Sequence, residues 1–489
     1  MRILYIDIDS LRPDHLGCYG YARDTSPTID ALASQGVRFE NCFVSDAPCL
    51  PSRTAFTQGR FGIKNGVVNH GGEAADLRSL GRERSFGARP GFETFFQSLQ
   101  KVGYLTASVS PFAARHGAWW YLAGLNEWHN TGRRGNENAD EINAKVLLWL
   151  EANAERDDWF LHVNYWDPHT LYSAPEAFGN PFSDEPPPPW YTEELRQRQW
   201  DGYGTFSAQD GLAHFYGEYL QAQRSGIPSS IATMDDFKAW IDGYDTGIRY
   251  VDEHIGHVLE ALDRRGVLDE TVVIVTADHG ENQGELNVFG DHQTADLMTC
   301  RVPMIVRAPG LLPSGEVRHA FHYQFDFAAT ILELLGIEVP WGWDARSFAT
   351  AMQAGRDEGR DHLVMGQMAW SCQRSVRFYR WLLIRTFHAG LKDLPEILLF
   401  DVENDPHEQN DLANERPEVV NEGIALLHEW HASALATSET GPIDPMQTVL
   451  REGGPFHARG LLEPYLERLK NTGRGEQAIR LAKVAASGR

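Results

Sequence analysis

Cysteine is scarce in this chain, and cations are outnumbered. Five cysteines, Cys18, Cys42, Cys49, Cys300 and Cys372, are spread over 489 residues with no Cys-x-x-Cys pair. Their odd number and wide spacing exclude a disulfide framework and a cysteine-built zinc cluster. Lysine and arginine total 44 against 68 aspartates and glutamates, a formal net charge of −24. That balance excludes nucleic acid and an anionic membrane surface as partners. No apolar run approaches the ~18–20 residues of a membrane span. The opening Met1-Arg2-Ile3-Leu4-Tyr5-Ile6-Asp7-Ile8-Asp9 is too short and too acidic for a signal peptide. The expectation is a cytoplasmic protein, with its oligomeric state left open.

The hydrophobic share of 42% is that of a chain that buries a core. The length exceeds the roughly 250–300 residues at which a single core stops growing. Two lobes are expected: an α/β catalytic domain over 1–343, and a C-terminal α+β subdomain over 344–489 with a small antiparallel sheet and a helical tail. Short apolar runs at 3–8, 105–109, 159–165, 271–276 and 302–306 read as strands covered on both faces. Helical periodicity runs over 28–35, 92–101, 139–153 and 235–265. This alternation predicts a mainly parallel sheet flanked by helices, with the ligand site at the carboxyl ends of the strands. A proline run at 186–189 opens an irregular insertion to about residue 230, which reads equally as a substrate wall or a surface excursion. Later strands are expected over 379–385 and 397–402, a helix over 417–434, and one helix beyond 438.

Two aspartates stand at strand ends. Asp9 closes the first run, and Asp278 closes the run at 271–277, followed by His279. Singly, each reads as a turn or cap residue. Together, at the carboxyl ends of parallel strands, they can converge on one cation, and hard oxygen ligands suit calcium, magnesium or manganese. Between them lies Ala47-Pro48-Cys49-Leu50-Pro51-Ser52-Arg53-Thr54, which reads Cys-x-Pro-x-Arg. Taken alone, Cys49 also fits a buried inert thiol, and Arg53 a surface helix cation.

The Cys49 run resembles the signature of type I sulfatases and phosphonate monoester hydrolases, members of the alkaline-phosphatase-like superfamily. Further blocks carry the same resemblance in the same order. They are Asp9-Ser10-Leu11-Arg12-Pro13-Asp14, Thr25-Ser26-Pro27-Thr28, Tyr244-Asp245-Thr246-Gly247, Asp278-His279-Gly280-Glu281, Arg301-Val302-Pro303 and Leu399-Phe400-Asp401. The resemblance implies that a formylglycine-generating enzyme converts Cys49 to formylglycine, whose hydrated aldehyde attacks sulfur, expels the alcohol and then releases sulfate. It further implies one divalent metal held by Asp9, Asp278, His279 and residue 49, with calcium the first choice and manganese or magnesium the alternatives. Arg53 would balance the charge of the nucleophile, and His169, in Asp167-Pro168-His169, would protonate the leaving group. His292 stands where many relatives carry a sulfate-holding lysine. Arg115 and His116 stand near where relatives carry Gly-Lys-Trp-His. Asn69 and the adjacent His70 complete the substrate-binding candidates.

Where many relatives have two adjacent aspartates this chain has Asp9-Ser10, and Asp7, on the same strand face, is the alternative carboxylate. Three readings follow. The first is a sulfatase acting on a small organic or carbohydrate sulfate ester. The second is a phosphonate monoester or phosphodiester hydrolase with the same nucleophile, since those relatives also use a single aspartate in the first block. The third is a binding protein that keeps the fold and an unmodified Cys49 thiol.

Overall fold

A computed structural model describes residues 1–77, 93–211, 227–439 and 441–486. Within them the short apolar runs become strands. In chain order these are β1 (Arg2–Ile8), β2 (Val37–Phe43), β3 (Asp46–Ala47), β4 (Leu105–Val109), β5 (Glu127–His129), β6 (Trp159–Tyr165), β7 (Thr271–Thr276) and β8 (Asn282–Gln283). There follow β9 (Phe289–Asp291), β10 (Arg301–Val302), β11 (Met304–Arg307), β12 (Glu316–Tyr323), β13 (His362–Gln367), β14 (Cys372–Phe378), β15 (Trp381–His388) and β16 (Ile397–Asp401). Every residue of β1, β6 and β7 is buried, as strands covered on both faces require.

The main sheet has nine strands in the order β10-β2-β11-β7-β1-β6-β4-β5, with β12 paired to β2. From β7 to β5 it is parallel throughout. The run expected as one strand at 302–306 is two, because Pro303 lacks the N–H that a continuous ladder needs. Its second half, β11, enters antiparallel to β7. Helices cover the sheet. Ala139–Asn153 starts and ends as its periodicity predicts, and the 30-residue helix Met234–Asp263 opens on a Thr233–Asp236 capping box. From the latter, Asp252 reaches across and accepts the N–H groups of Thr28 and Ile29 at 2.9 Å each, capping the helix Pro27–Ser34. The periodicity at 92–101 becomes the helix Phe95–Lys101, residue 92 lying outside the described residues.

A second sheet runs β16-β15-β14-β13-β3. Its first four strands are antiparallel, and β3 adds in parallel at the edge. The strand expected at 379–385 begins later: Tyr379, at φ 46°, lies in the turn from β14 into β15. Since β3 is the two-residue segment Asp46–Ala47, the second sheet grips the chain just ahead of Cys49. One apolar core spans both sheets, with Leu363, Ile384 and Phe400 packed in the same cluster as Ile3 and Val275.

Beyond residue 438 the described residues form three α-helices where one helix is expected: Pro445–Arg451, Leu462–Asn471 and Gly475–Ala486. They fold back on the body. Tyr465, Leu469 and Leu481 pack with Tyr203 and Leu391. The described part of the insertion is likewise packed, with Tyr191 stacked on Phe237 at 4.1 Å and Phe206 edge-on to Trp370 at 5.1 Å. Residues 212–226 of it lie outside the described residues. Among the described residues, no helix is long and apolar enough to cross a membrane.

The segment linking the sheets is held by one buried carboxylate. Asp326, in the helix Gln324–Leu334, accepts bonds from Arg360 Nε at 2.7 Å, Arg360 Nη2 at 2.5 Å and the Arg346 N–H at 2.7 Å. Replacing one partner of such a pair strands the other in the interior, which costs about 3–5 kcal/mol. Asp326→Ala is therefore expected to lower the unfolding free energy by that amount in urea titration.

Candidate active site at the carboxyl edge of the main sheet

Four adjacent parallel strands deliver polar residues to one rim. Asp9 follows β1, Asp278 and His279 follow β7, His169 follows β6, and Arg115 and His116 end the short helix Phe112–His116 beyond β4. Register fixes the convergence. Asp7 lies opposite Thr276, so Asp9 and Asp278 leave neighbouring strands at the same level. The Asp9 N–H donates to Tyr165 O at 2.8 Å, which carries β1 one step further along β6.

The helix Cys49–Gln58 meets this rim with its first residue. Pro51 is tolerated because the first-turn N–H groups of a helix have no intrahelical partner. Cys49 is 1% exposed. One turn on, Arg53 drives its guanidinium between the strand ends. Its Nε donates to Asp7 Oδ2 at 2.7 Å, and its Nη1 to Asp9 Oδ2 at 3.0 Å and Asp278 Oδ2 at 2.5 Å. Three buried carboxylates thus face one guanidinium. Burial raises Asp9, but Arg53 and His169 outweigh it and hold that carboxyl well below its ordinary value. Burial drives Asp278 strongly upward; Arg53 opposes this, and Asp9 and Asp7 add to the rise. Three carboxylates share one guanidinium, an excess of acidic groups over cations that is costly to bury when ionised.

The residues fit a divalent ion. The ligand atoms of Cys49, Asp278 and His279 lie within 4.8 Å of one another. His279 Nδ1 donates to the Gly280 carbonyl at 2.9 Å, so Nε2 carries the lone pair. That nitrogen is buried and, among the described residues, has no hydrogen-bond partner; it lies 3.3 Å from Asp278 Oδ2 and 3.9 Å from Asp9 Oδ1. Burial lowers His279 to about 4, which keeps it neutral as a ligand must be. Asp7 stays outside this cluster, bound to Arg53 and to His162 Nε2 at 3.3 Å. Ser10 gives hydrogen bonds where a second carboxylate would accept metal. Its Oγ donates to Asp9 Oδ1 at 3.1 Å and its N–H to Asp278 Oδ1 at 3.3 Å. Its backbone is left-handed, at φ 63°, a strained state for serine that such sites tend to hold.

Imidazoles ring the Cys49 sulfur. His70 Nε2 is 3.5 Å from Sγ and His116 Nε2 is 3.6 Å away. His292 packs on His279 with ring centroids 4.0 Å apart, and His169 sits 5.7 Å from His292. Asn69 is buried. Its Oδ1 accepts the His70 N–H at 2.8 Å, and its amide nitrogen has no partner among the described residues. Arg115 lies furthest out, donating to Arg134 O at 2.7 Å and lying over the Trp166 ring at 5.0 Å. All the residues named from sequence therefore gather at this rim. Trp166 and His457 join them without having been named. Trp166 directly follows β6, and its ring has the Arg115 guanidinium at 5.0 Å and that of Arg53 at 5.4 Å. His457 comes from the tail, in Pro455-Phe456-His457, which carries no motif.

The loop after His279 is braced by a buried ion pair. Arg12 donates to Glu285 Oε1 at 2.9 Å and Oε2 at 3.1 Å, and His407 Nδ1 is 2.9 Å from Oε1.

Comparison with known proteins gives the same class. The Sulfatase family model matches residues 2–337. A second model, the C-terminal region of N-sulphoglucosamine sulphohydrolase, matches residues 284–429. The chain belongs to the sulfatase family of hydrolases and has the alkaline-phosphatase-like fold expected from its motifs. Among curated proteins, an N-acetylglucosamine-6-O-sulfatase of Bacteroides thetaiotaomicron is 23% identical, over 92% of this chain and 89% of that protein. Among solved structures, a protein in complex with its substrate D-glucosamine-2-N,6-O-disulfate superposes with TM-score 0.71 at 20% identity, covering 88% of this chain and 98% of the other. A phosphonate monoester hydrolase of Agrobacterium radiobacter superposes with TM-score 0.66 at 21% identity, covering 89% and 96%.

The brace beside His279 sets a pH dependence. Burial raises Glu285, but Arg12 and His407 outweigh it and bring its carboxyl from 4.5 down to about 2. A carboxyl depressed in the folded state contributes stability above its unfolded pKa and loses it as pH falls toward the folded value. Wild type is expected to lose stability between pH 4.5 and about 2, and Glu285→Gln to show a shallower slope there in thermal melts.

Proposed function

We propose that this chain hydrolyses sulfate esters of a saccharide through residue 49 in its formylglycine form. The observation that carries this reading is a mismatch at Cys49. The side chain sits where a nucleophile belongs, yet burial, Asp9 and Asp278 together push its thiol pKa far up. A thiol held protonated beside two carboxylates is a poor nucleophile. Conversion to a hydrated aldehyde by a formylglycine-generating enzyme supplies a hydroxyl nucleophile and a second hydroxyl for releasing the sulfate. A divalent ion at Asp9, Asp278, His279 and residue 49, calcium first and manganese or magnesium as alternatives, supplies Lewis acidity there.

The remaining roles fall to side chains already placed. Arg53 keeps the two carboxylates in position, and its Nη2, which has no hydrogen-bond partner among the described residues, is a donor for the anion. The unpartnered Asn69 amide and His292 Nδ1 supply further polar contacts to sulfate oxygens. His116 Nε2 and His70 Nε2 face residue 49 at distances that let either move its proton. His169 Nδ1 donates to the Thr170 carbonyl at 2.6 Å, so Nε2 is the free nitrogen, which must first take up a proton before it can pass one to the leaving alcohol. A cavity of about 1360 Å³, lined by Trp166, His169, Asn136, Asn180, Lys238 and Asp242 among others, adjoins His169. Its polar lining suits the hydroxyls of a sugar, and the two sulfated-sugar relatives point the same way.

Ser10 favours a second reading. A phosphonate monoester or phosphodiester hydrolase with the same nucleophile also uses a single aspartate in the first block and Asp-His in the second, as this chain does.

Protein co-produced with a formylglycine-generating enzyme is expected to give a peptide across Cys49 with the mass of the aldehyde. It should cleave 6-O-sulfated N-acetylglucosamine faster than an aryl phosphonate, and Cys49→Ala should fall to background. Preference for the phosphonate would move the assignment to the second reading. An intact thiol with no turnover of either ester would leave a binding protein.

A further inference from the structure

The tail reaches the reactive centre through one side chain. His457 Nε2 lies 3.0 Å from His70 Nδ1, and the opposite nitrogen of His70 lies 3.5 Å from Cys49 Sγ. Residue 457 is beyond both family matches, which end at 337 and 429. We propose that His457 is a positioning residue of this active site, fixing the ring of His70 so that His70 Nε2 faces the reactive atom of residue 49. This rests on the reading of residue 49 given above.

A neutral imidazole has one N–H and one lone pair. A bond at Nδ1 therefore decides which of the two Nε2 presents, and it also sets the plane of the ring. Burial lowers both histidines, His457 to about 4, so two neutral rings share one N–H between them. The next shell holds His457 in turn. Its ring stacks on Trp370 at 4.4 Å and 18°, and its backbone N–H donates to the Ala369 carbonyl at 3.0 Å.

The same tail grips the loop that carries Asn69 and His70. Met446 and Val449 pack against Val68 and Ala74. Glu452 accepts the Glu73 N–H at 2.9 Å and a bond from Arg459 at 2.9 Å. Phe456 lies so close to Gly71 that a Cβ there would come within 2.3 Å of its ring. The loop and the tail are built against each other, and the His70–His457 bond is where that contact reaches the chemistry.

His457→Phe keeps a ring on Trp370 and removes both nitrogens. Its kcat is expected to fall roughly 10–100-fold, as for other residues that orient a reacting group, with KM and melting temperature little changed. His457→Gln, which restores a hydrogen-bonding group, should recover part of the loss. Equal losses in the Phe and Gln variants at unchanged melting temperature would contradict the hydrogen-bonding role. The double variant His70→Ala/His457→Phe should be no slower than His70→Ala alone, because His457 acts through His70. Full kcat in His457→Phe, or a double variant slowed by the product of the two single effects, would overturn the proposal. An arm independent of turnover is nitrogen NMR of histidine-labelled protein, with His70 assigned from His70→Ala. The His70 ring shifts should move in His457→Phe. Unchanged shifts would overturn the coupling even if no sulfate ester is cleaved, whereas moved shifts in a protein without turnover would sink the sulfatase reading alone.

Discussion

A single guanidinium organises this protein. Arg53 projects from a helix into the gap between two strand ends and binds Asp7, Asp9 and Asp278 at 2.5–3.0 Å. Everything at the rim is referenced to it. It ties the ends of β1 and β7 together, anchors the helix that carries Cys49, and shares Asp278 Oδ2 with His279 Nε2, which lies 3.3 Å from it. The short strand β3 fixes the other end of that helix's approach, so the second sheet has a direct part in placing residue 49.

The electrostatics of the rim resolve an apparent conflict. A chain with a net charge of −24 repels an anionic substrate as a whole. Around residue 49 the balance is local. Carboxylates gather on one side, where they suit a divalent ion, and neutral imidazoles and Arg115 line the other. Burial keeps His70, His116, His169 and His292 uncharged, since each is pushed down from the ordinary histidine range. The cations at the rim are then Arg53 and Arg115, while the imidazoles stand neutral around residue 49.

Much of this was legible in the sequence, and the exceptions have physical causes. β4, β6, β7 and the helix Ala139–Asn153 match their expected bounds because double-sided burial and helical periodicity are local signals. Asp9, Cys49, Arg53, Asp278 and His279 are marked in the sequence by strand ends and a five-residue motif, and the fold brings them side by side. β14 was missed because it buries Gln373, Arg374 and Ser375, and polar residues read as surface until their partners are known. Those partners are remote: Arg374 pairs with Asp444 at 2.7 Å, and Gln373 accepts the Ala295 N–H at 2.9 Å. His457 was invisible for the same reason, since its place near Cys49 depends on how three tail helices dock. Pro303 was visible, yet its effect on a strand otherwise apolar throughout was under-read.

The central claim is that Asp9, Asp278, His279 and residue 49 enclose one divalent cation beside Arg53. Anomalous diffraction from manganese-loaded crystals tests it directly. The account predicts a single strong peak within coordinating distance of all four side chains, with Arg53 still bound to Asp7, Asp9 and Asp278. No peak there, or one outside this cluster, would contradict it.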